Sequence, residues 1–211
     1  MNGFSMKQQV LYIHGGNSYS NYVDFLNELQ TMILPALNGE ISMKRWSDTL
    51  REDLGEEFEF IAPSMPNKNN AKYTEWKIWF ERYLEILKDG AVLVGWSQGG
   101  YFLSKYLIEE TLPITIKGLI LIAAPYQPAD FDGEDGGDFA FDASKTELIA
   151  EKVGTIVIFH SKDDFVVPFE HAELYHRALP QAEFVVFEDR NHFLISKFPE
   201  LIDKIKVISQ N

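Results

Sequence analysis

The chain has 211 residues, of which 45% are hydrophobic and 24% are charged, so we expect one globular domain spanning 1–211. It contains no cysteine, which excludes disulfides, thiolate nucleophiles and cysteine-ligated zinc, and its net charge of −13 disfavours nucleic acid and anionic lipid as partners. No segment resembles a signal-peptide core or a membrane span, so the sequence predicts a cytoplasmic protein.

Six short apolar segments rich in β-branched residues alternate with longer segments of helical spacing. Their almost continuous hydrophobicity is typical of strands that are covered on both faces in a parallel sheet. The alternation predicts a three-layer α/β domain with helices on both faces of the sheet and no large cap. The predicted strands are 10–13, 58–62, 91–94, 118–123, 155–159 and 183–187.

Apolar residues between the strands recur at helical spacing, first from Tyr22 through Ile33 to Leu37 and later from Trp76 to Leu87. We expect these helical stripes to pack into the core. An additional short helix is expected at 46–54, before the second strand.

The first predicted strand ends in His14-Gly15-Gly16-Asn17. Glycines after a strand let backbone N–H groups turn inward, as an oxyanion hole requires, although glycines also mark ordinary turns. The candidate donor of this loop is the N–H of Gly16 or of Asn17. Asn17 is also a candidate substrate contact.

Gly95-Trp96-Ser97-Gln98-Gly99 fits the G-x-S-x-G pattern between a predicted strand and a predicted helix. Such a sharp turn exposes the serine hydroxyl at the helix N-terminus, and a Cβ at either glycine would clash. Ser97 is therefore the candidate nucleophile, and the N–H of Gln98 is a second oxyanion donor. Trp96 is expected to pack behind this turn or to contact substrate.

The segment 127–143 departs from the strand–helix rhythm, with six acids, three glycines and no base. Closely spaced carboxylates suit calcium, but the spacing of an EF-hand is missing, so we interpret the segment as a solvated, mobile loop that could serve as a lid. Four aromatic residues in or next to it either line the substrate pocket or anchor the loop: Tyr126, Phe131, Phe139 and Phe141.

A serine nucleophile needs a histidine base and an acid that orients it. His192 follows the last predicted strand, where an α/β sheet places its functional groups. Asp163 and Asp164 follow the preceding strand, and either could orient His192. Asp189 and Asp130 are weaker candidates for the acid. His14 and His160 are expected to shape the rim or to bond to backbone, and His171 and His176 are expected to be surface or half-buried structural residues.

The segments VLYIHGG, FIAPSMP, LVGWSQGG, HSKDDFVVP and DRNHF resemble those of α/β-hydrolases. The compact size resembles the serine hydrolases grouped with retinoblastoma-binding protein 9 and the bacterial YdeN-like proteins. The resemblance implies six parallel strands in the order 2-1-3-4-5-6, with the site at their carboxyl ends. It also implies Asp164 as the acid of the D-x-V-V-P motif. The GWSQGG turn is similar to the GFSQGG turn of acyl-protein thioesterases.

The sequence thus predicts a serine hydrolase that cleaves small to medium carboxylic esters with Ser97, Asp164 and His192. The predicted partner is a small ester or acyl substrate, with no cofactor and no metal. Three alternatives stay open: an acyl-thioesterase, an amidase or peptidase with the same triad, and an interaction protein that retains the fold.

Overall fold

The computed structural model describes residues 7–32, 44–129, 131 and 134–210. Six strands form one parallel sheet in the order β2-β1-β3-β4-β5-β6. The strands are β1 (Gln8–Ile13), β2 (Phe58–Ile61), β3 (Ala91–Trp96), β4 (Ile116–Ile122), β5 (Val153–Ser161) and β6 (Glu183–Phe187). The predicted fold class and strand order are confirmed.

Helices connect the strands. Within the described residues they are α1 (Tyr22–Thr31), α2 (Trp46–Leu54), α3 (Tyr73–Leu84), α4 (Gln98–Glu109), α5 (Leu148–Lys152), α6 (Glu170–Ala178) and α7 (Pro199–Gln210). Two short 3-10 turns, Gly137–Phe139 and Ala143–Lys145, precede α5. No segment of this described part forms a separate helical cap, and none of its helices is long and apolar enough to cross a membrane.

The sheet has a hydrophobic core on each face, because successive side chains of a strand point in opposite directions. Leu11 and Leu93 pack on one face against residues of α3, α4 and α6. Val10 and Val92 pack on the other face against residues of α2 and α7. These two layers fix the sheet as a rigid platform for the loops at its edge.

Helix α1 differs from the prediction that the helical stripes pack into the core. None of its residues is buried, and Tyr22 is 63% exposed. The physical reason is its location: α1 lies beside the cavity described below, where its Glu28 forms part of the wall, and not against the sheet. Ile33 and Leu37, at the end of the predicted stripe, lie outside the described residues.

The loops that carry the predicted site residues leave the sheet at one edge. In the strand register, Ile13 of β1 pairs with Gly95 of β3, and Ser161 of β5 pairs with Phe187 of β6. Because all these strands run parallel, the segments that follow them meet at the carboxyl edge of the sheet.

Candidate active site

Ser97 forms the turn between β3 and α4. Its backbone has φ +52° and ψ −124°, a conformation that non-glycine residues rarely adopt, and its N–H donates to the carbonyl oxygen of Ile122 at 2.8 Å. A Cβ at Gly95 would lie 2.6 Å from the Cα of Gly100, and a Cβ at Gly99 would clash with the carbonyl oxygen of Ile13. Glycines on both sides are therefore required for this strained turn.

Asp164 and His192 form a hydrogen-bonded pair. The Nδ1 of His192 lies 2.9 Å from Oδ2 and 3.1 Å from Oδ1 of Asp164. The Asp164 side chain is fully buried, and its Oδ1 also accepts the N–H groups of Val166 and Val167, each at 2.9 Å. These donors hold the carboxylate against Nδ1, which leaves the Nε2 of His192 as the nitrogen available to a nucleophile.

Ser97 and His192 line one cavity of about 690 Å³. The structure shows no hydrogen bond between the Ser97 hydroxyl and the His192 ring. Contacts of this kind are often long before substrate binds and tighten only in the substrate complex. The structure thus brings the three predicted side chains to one place and shows one of the two hydrogen bonds that a triad needs.

Asp163 has different partners from Asp164. Its Oδ1 accepts the hydroxyl of Ser161 at 2.5 Å and the backbone N–H of Asn191 at 2.8 Å. The hydrogen bond from Ser161 is the main cause of the lowered pKa of the Asp163 carboxyl. Asp163 therefore connects the loop of His192 to the end of β5 and makes no hydrogen bond to the histidine ring.

The other two acids considered from the sequence do not meet His192 in the described structure. Asp189, on the same loop as His192, makes no hydrogen bond to its ring. Asp130 lies outside the described residues.

Trp96 packs against His192. The two ring centres are 5.6 Å apart, and the indole N–H donates to the carbonyl oxygen of His192 at 3.1 Å. Trp96 also lines the cavity, so it supports the histidine and presents a surface to the space in front of Ser97.

The loop after β1 contacts the serine turn. A Cβ at Gly15 would lie 3.3 Å from the Cβ of Ser97, which shows how closely the loop backbone approaches the serine. The N–H of Asn17 donates to the carbonyl oxygen of Lys68 at 2.8 Å and is therefore not available to an oxyanion. Of the two donors considered for this loop, this leaves the N–H of Gly16, and both residues line the cavity.

His14 is held as a structural residue of the same loop. Its Nδ1–H donates to the carbonyl oxygen of Gly15 at 2.5 Å, and its Nε2 accepts the N–H of Met65 at 2.9 Å. These bonds need a neutral ring, and burial accordingly lowers the pKa of His14. The histidine thus orders the loop without a free nitrogen for catalysis.

Two further histidines are buried near the acid. The Nε2–H of His160 donates to the carbonyl oxygen of Val167 at 2.9 Å and lies 3.5 Å from Oδ2 of Asp164. His171 is only 3% exposed, more buried than its expected surface or half-buried position, and its Nδ1 accepts the N–H of Tyr126 at 2.9 Å. Burial lowers the pKa of both rings, and that of His171 falls to about 4.

The aromatic residues around 127–143 occupy different positions. Phe131 is buried and lines the cavity, with its ring edge against His171. Tyr126 does not line the cavity, because its hydroxyl bonds to Ala143 and Thr146 and its ring packs on α6. Phe139 is part of the core against Trp76, and Phe141 packs on Tyr101 and Tyr126.

The described part of the acidic segment is hydrogen-bonded to the body of the protein, although its described aspartates are exposed, as expected of a solvated loop. The carboxylate of Glu134 accepts the N–H of Ser18, that of Asp135 accepts the N–H of Ser20 at 3.0 Å, and that of Asp138 accepts the N–H of Tyr73 at 3.0 Å. Among the described residues, no group of three or more acids and histidines could hold a metal ion. The described carboxylates of the acidic segment serve as acceptors for backbone N–H groups.

Sequence patterns did not predict the charged and hydroxyl side chains of the cavity wall. They come from β1, from α1, from the start of α2, from the segment after β2 and from the acidic segment, which are distant in the chain and meet only in the fold. They are Tyr12, Glu28, Arg45, Ser47, Asp48, Lys68 and Glu134.

No family model matches the chain. Serine hydrolase RBBP9 of Rattus norvegicus is 26% identical over 171 residues, which cover 80% of this chain and 88% of the relative. The ydeN gene product of B. subtilis has a similar structure, with a TM-score of 0.75, 20% identity, and coverage of 97% of this chain and 100% of that chain.

A yden-like hydrolase from Pectobacterium atrosepticum has a TM-score of 0.64 and 14% identity, with 96% of this chain and 91% of that chain covered. These two structural similarities concern the fold. The sequence similarity is to a serine hydrolase and extends over most of the chain. The chain thus has the α/β-hydrolase fold and is similar to RBBP9 and YdeN-like serine hydrolases, as its motifs predict.

Proposed function

We propose that this protein is a serine hydrolase that cleaves carboxylic esters of small to medium size through an acyl-enzyme on Ser97. The observation that carries the proposal is the Asp164–His192 hydrogen bond at 2.9 Å, because His192 lines the same cavity as Ser97 on its strained turn. A structural histidine has no need of a fully buried carboxylate on one nitrogen and a cavity on the other side.

In the first half of the reaction, the Oγ of Ser97 attacks the carbonyl carbon of the ester and its proton passes to Nε2 of His192. Asp164 accepts the Nδ1–H and stabilises the imidazolium that forms. The N–H groups of Gln98 and Gly16 donate to the oxyanion of the tetrahedral intermediate. The intermediate collapses, and His192 returns the proton to the departing alcohol.

In the second half, His192 takes a proton from water, and the resulting nucleophile attacks the acyl-enzyme. The acid is released and Ser97 regains its proton. Every proton is transferred between the substrate, water and these side chains, so the mechanism requires no cofactor and no metal.

The size of the cavity supports a substrate of modest length. Its volume of about 690 Å³ lies within the range typical of small-molecule sites, and its wall carries charged side chains as well as Trp96, Phe131 and Leu194. A long acyl chain would place methylene groups against these charges, whereas short and polar acyl groups would not.

A fluorophosphonate probe tests the nucleophile, because it reacts covalently with an activated serine. We expect the wild-type protein to be labelled and the Ser97→Ala variant to remain unlabelled. The matched control is Ser104→Ala, which removes the hydroxyl of a buried serine on α4 outside the cavity. A folded wild-type protein that is not labelled, or a Ser97→Ala variant that is labelled equally, would contradict the proposal.

A series of p-nitrophenyl esters from acetyl to palmitoyl tests the substrate size. We expect kcat/KM to be highest for acyl chains of about two to eight carbons, since these fit a cavity in the range typical of small-molecule sites. Activity that is confined to the longest chains would contradict the preference for small esters while leaving the nucleophile in place.

A further inference from the structure

Tyr12 is a buried residue of β1 in the wall of the active-site cavity, with its ring next to those of Trp46 and Phe60. It is only 4% exposed, and apart from the neighbouring hydroxyl of Ser47 its hydroxyl has no hydrogen-bond partner among the described residues. Burial raises the pKa of this phenol far above its ordinary value, so it stays protonated at neutral pH. Buried hydroxyls are normally hydrogen-bonded, and the described structure supplies no carboxylate or carbonyl acceptor for this one.

Arg45 contributes a positive charge to the same cavity. Its guanidinium lies over the ring of Trp96, with 5.9 Å between the guanidinium carbon and the ring centre, and Trp96 in turn packs on His192. The side chain is exposed and forms no ion pair with a carboxylate of the described residues. An unpaired guanidinium in the cavity of an acidic protein presents a planar set of donors to whatever enters it.

The N-terminus of α2 adds donors between these two side chains. Ser47 lines the cavity, and its hydroxyl is the polar group that faces the phenol of Tyr12. The N–H of Trp46 donates to Ile195 and that of Asp48 to Arg45, so the N–H of Ser47 is the one without a partner in the described part of this turn. The helix dipole favours an anion at this end.

Asp48 is the acid of the cavity wall whose negative charge raises the pKa of Tyr12. Its carboxylate already accepts the backbone N–H of Arg45 at 2.8 Å, as a capping residue of α2. Glu28 and Glu134, the other acids of the cavity wall, belong to α1 and to the acidic segment. Arg45 and Ser47 thus lie at the start of α2, beside the phenol of Tyr12 on β1.

We propose that Tyr12, Arg45 and Ser47 form a carboxylate subsite beside Ser97, so that the substrate is an ester that carries a free carboxylate. This inference rests on the proposed esterase function. A guanidinium binds both oxygens of a carboxylate in one plane, and the phenol and the start of α2 supply further donors. A wholly apolar ester would leave all of these donors without partners.

The test uses two pairs of substrates that differ in one negative charge. Mono-4-nitrophenyl glutarate and 4-nitrophenyl pentanoate place the difference on the acyl side, and 4-acetoxybenzoate and its methyl ester place it on the alcohol side. For at least one pair we expect kcat/KM to be about 10-fold or more higher for the anionic member, since hydrogen bonds to charged groups have this magnitude. The preference for the anionic ester should decrease as the salt concentration rises, because dissolved ions screen the attraction between charges.

Arg45→Gln and Tyr12→Phe should each reduce kcat/KM for the anionic ester by about 10-fold and change that for the neutral ester by less than about twofold. Arg51→Gln is the matched control, because Arg51 lies on the same helix over the ring of Phe60 and outside the cavity. Equal turnover of both members of both pairs by the wild type would overturn the subsite. So would an Arg45→Gln variant that loses activity equally on charged and neutral esters.

Direct binding separates the subsite from the proposed function. The Ser97→Ala variant is titrated with monomethyl glutarate by calorimetry, and we expect binding that the Ser97→Ala, Arg45→Gln double variant loses. Binding that requires Arg45 supports the subsite even if no ester is turned over. Absence of binding contradicts the subsite, whereas fluorophosphonate labelling of the wild type reports separately on the nucleophile.

Discussion

The indole N–H of Trp46, at the start of α2, donates a 3.0 Å hydrogen bond to the carbonyl oxygen of Phe193, the residue that follows His192. The indole N–H of Trp96 binds the carbonyl oxygen of His192 itself. Asn191 and Phe193, on either side of the histidine, have φ of +42° and +56°. Two tryptophans from different elements thus hold a backbone conformation that these residues would not adopt alone.

Trp46→Phe should weaken this loop and lower the reaction rate. The variant keeps an aromatic ring but leaves the carbonyl oxygen of buried Phe193 without its donor, which costs about 1–3 kcal/mol. We expect a loss of this size in the free energy of urea unfolding and a slower fluorophosphonate reaction of Ser97. Trp79→Phe is the control, since Trp79 on α3 is exposed and packs on Tyr83. Equal effects of the two substitutions would contradict the role of Trp46.

Substitutions of the two adjacent aspartates should reduce kcat to very different extents. Asp164→Asn removes the carboxylate that fixes the tautomer of His192, and we expect kcat to fall by about 10³–10⁴, the range known for triad acids. Asp163→Asn retains an oxygen that accepts from Ser161 and Asn191, so we expect a decrease of less than about 10-fold. Steady-state kinetics on one p-nitrophenyl ester check both values. A larger effect at Asp163 than at Asp164 would reverse the assignment.

The serine turn was predictable from the sequence because it is local. Gly95, Ser97 and Gly99 lie within five residues, and the strand and helix around them show their own periodicity. Asp163 and Asp164 could not be separated by such reasoning, since both follow β5 directly. Only the family motif favoured Asp164, and the hydrogen bonds in the structure distinguish the two by their partners.

The charged and hydroxyl side chains of the cavity wall were not predictable, because their positions depend on where α2 and α1 pack. Arg45 reaches the cavity only because Trp46 inserts among Tyr12, Trp96 and Phe198 at 5.4–6.3 Å and so places the start of α2 beside the serine turn. An amphipathic stripe in the sequence indicates that a helix has an apolar side. It does not indicate which part of the protein this side faces. The stripe of α1 is the example, since none of its residues is buried.

Gly16→Ala tests the loop that faces the serine. A Cβ at this position would lie 2.6 Å from the carbonyl oxygen of Lys68, so the loop must shift and its N–H moves away from the oxyanion. We expect kcat to fall by about 10²–10³, as for the loss of one oxyanion donor, with a smaller change in KM. Gly90→Asn is the control, because Gly90 has no atom within 4 Å of a Cβ and asparagine tolerates its positive φ. An unchanged kcat for Gly16→Ala would exclude Gly16 as a donor.

The stability of the protein should fall with acid in a window set by buried His171. Its pKa is lowered from 6.5 to about 4 by burial, so the unfolded chain binds a proton between these values that the folded protein does not. The stabilisation is therefore complete above pH 6.5 and is lost as the pH falls towards 4, by up to about 3 kcal/mol for this group. His14 and His160 act in the same direction.

His171→Asn separates this contribution from the others, because the amide oxygen can accept the N–H of Tyr126 as Nδ1 does, but the side chain does not titrate. We expect the free energy of urea unfolding of the variant to decline less steeply between pH 6.5 and 4.5 than that of the wild type. Parallel pH profiles for wild type and His171→Asn would show that the buried ring is not the source of the pH dependence, because the imidazole is the titrating group that the substitution removes.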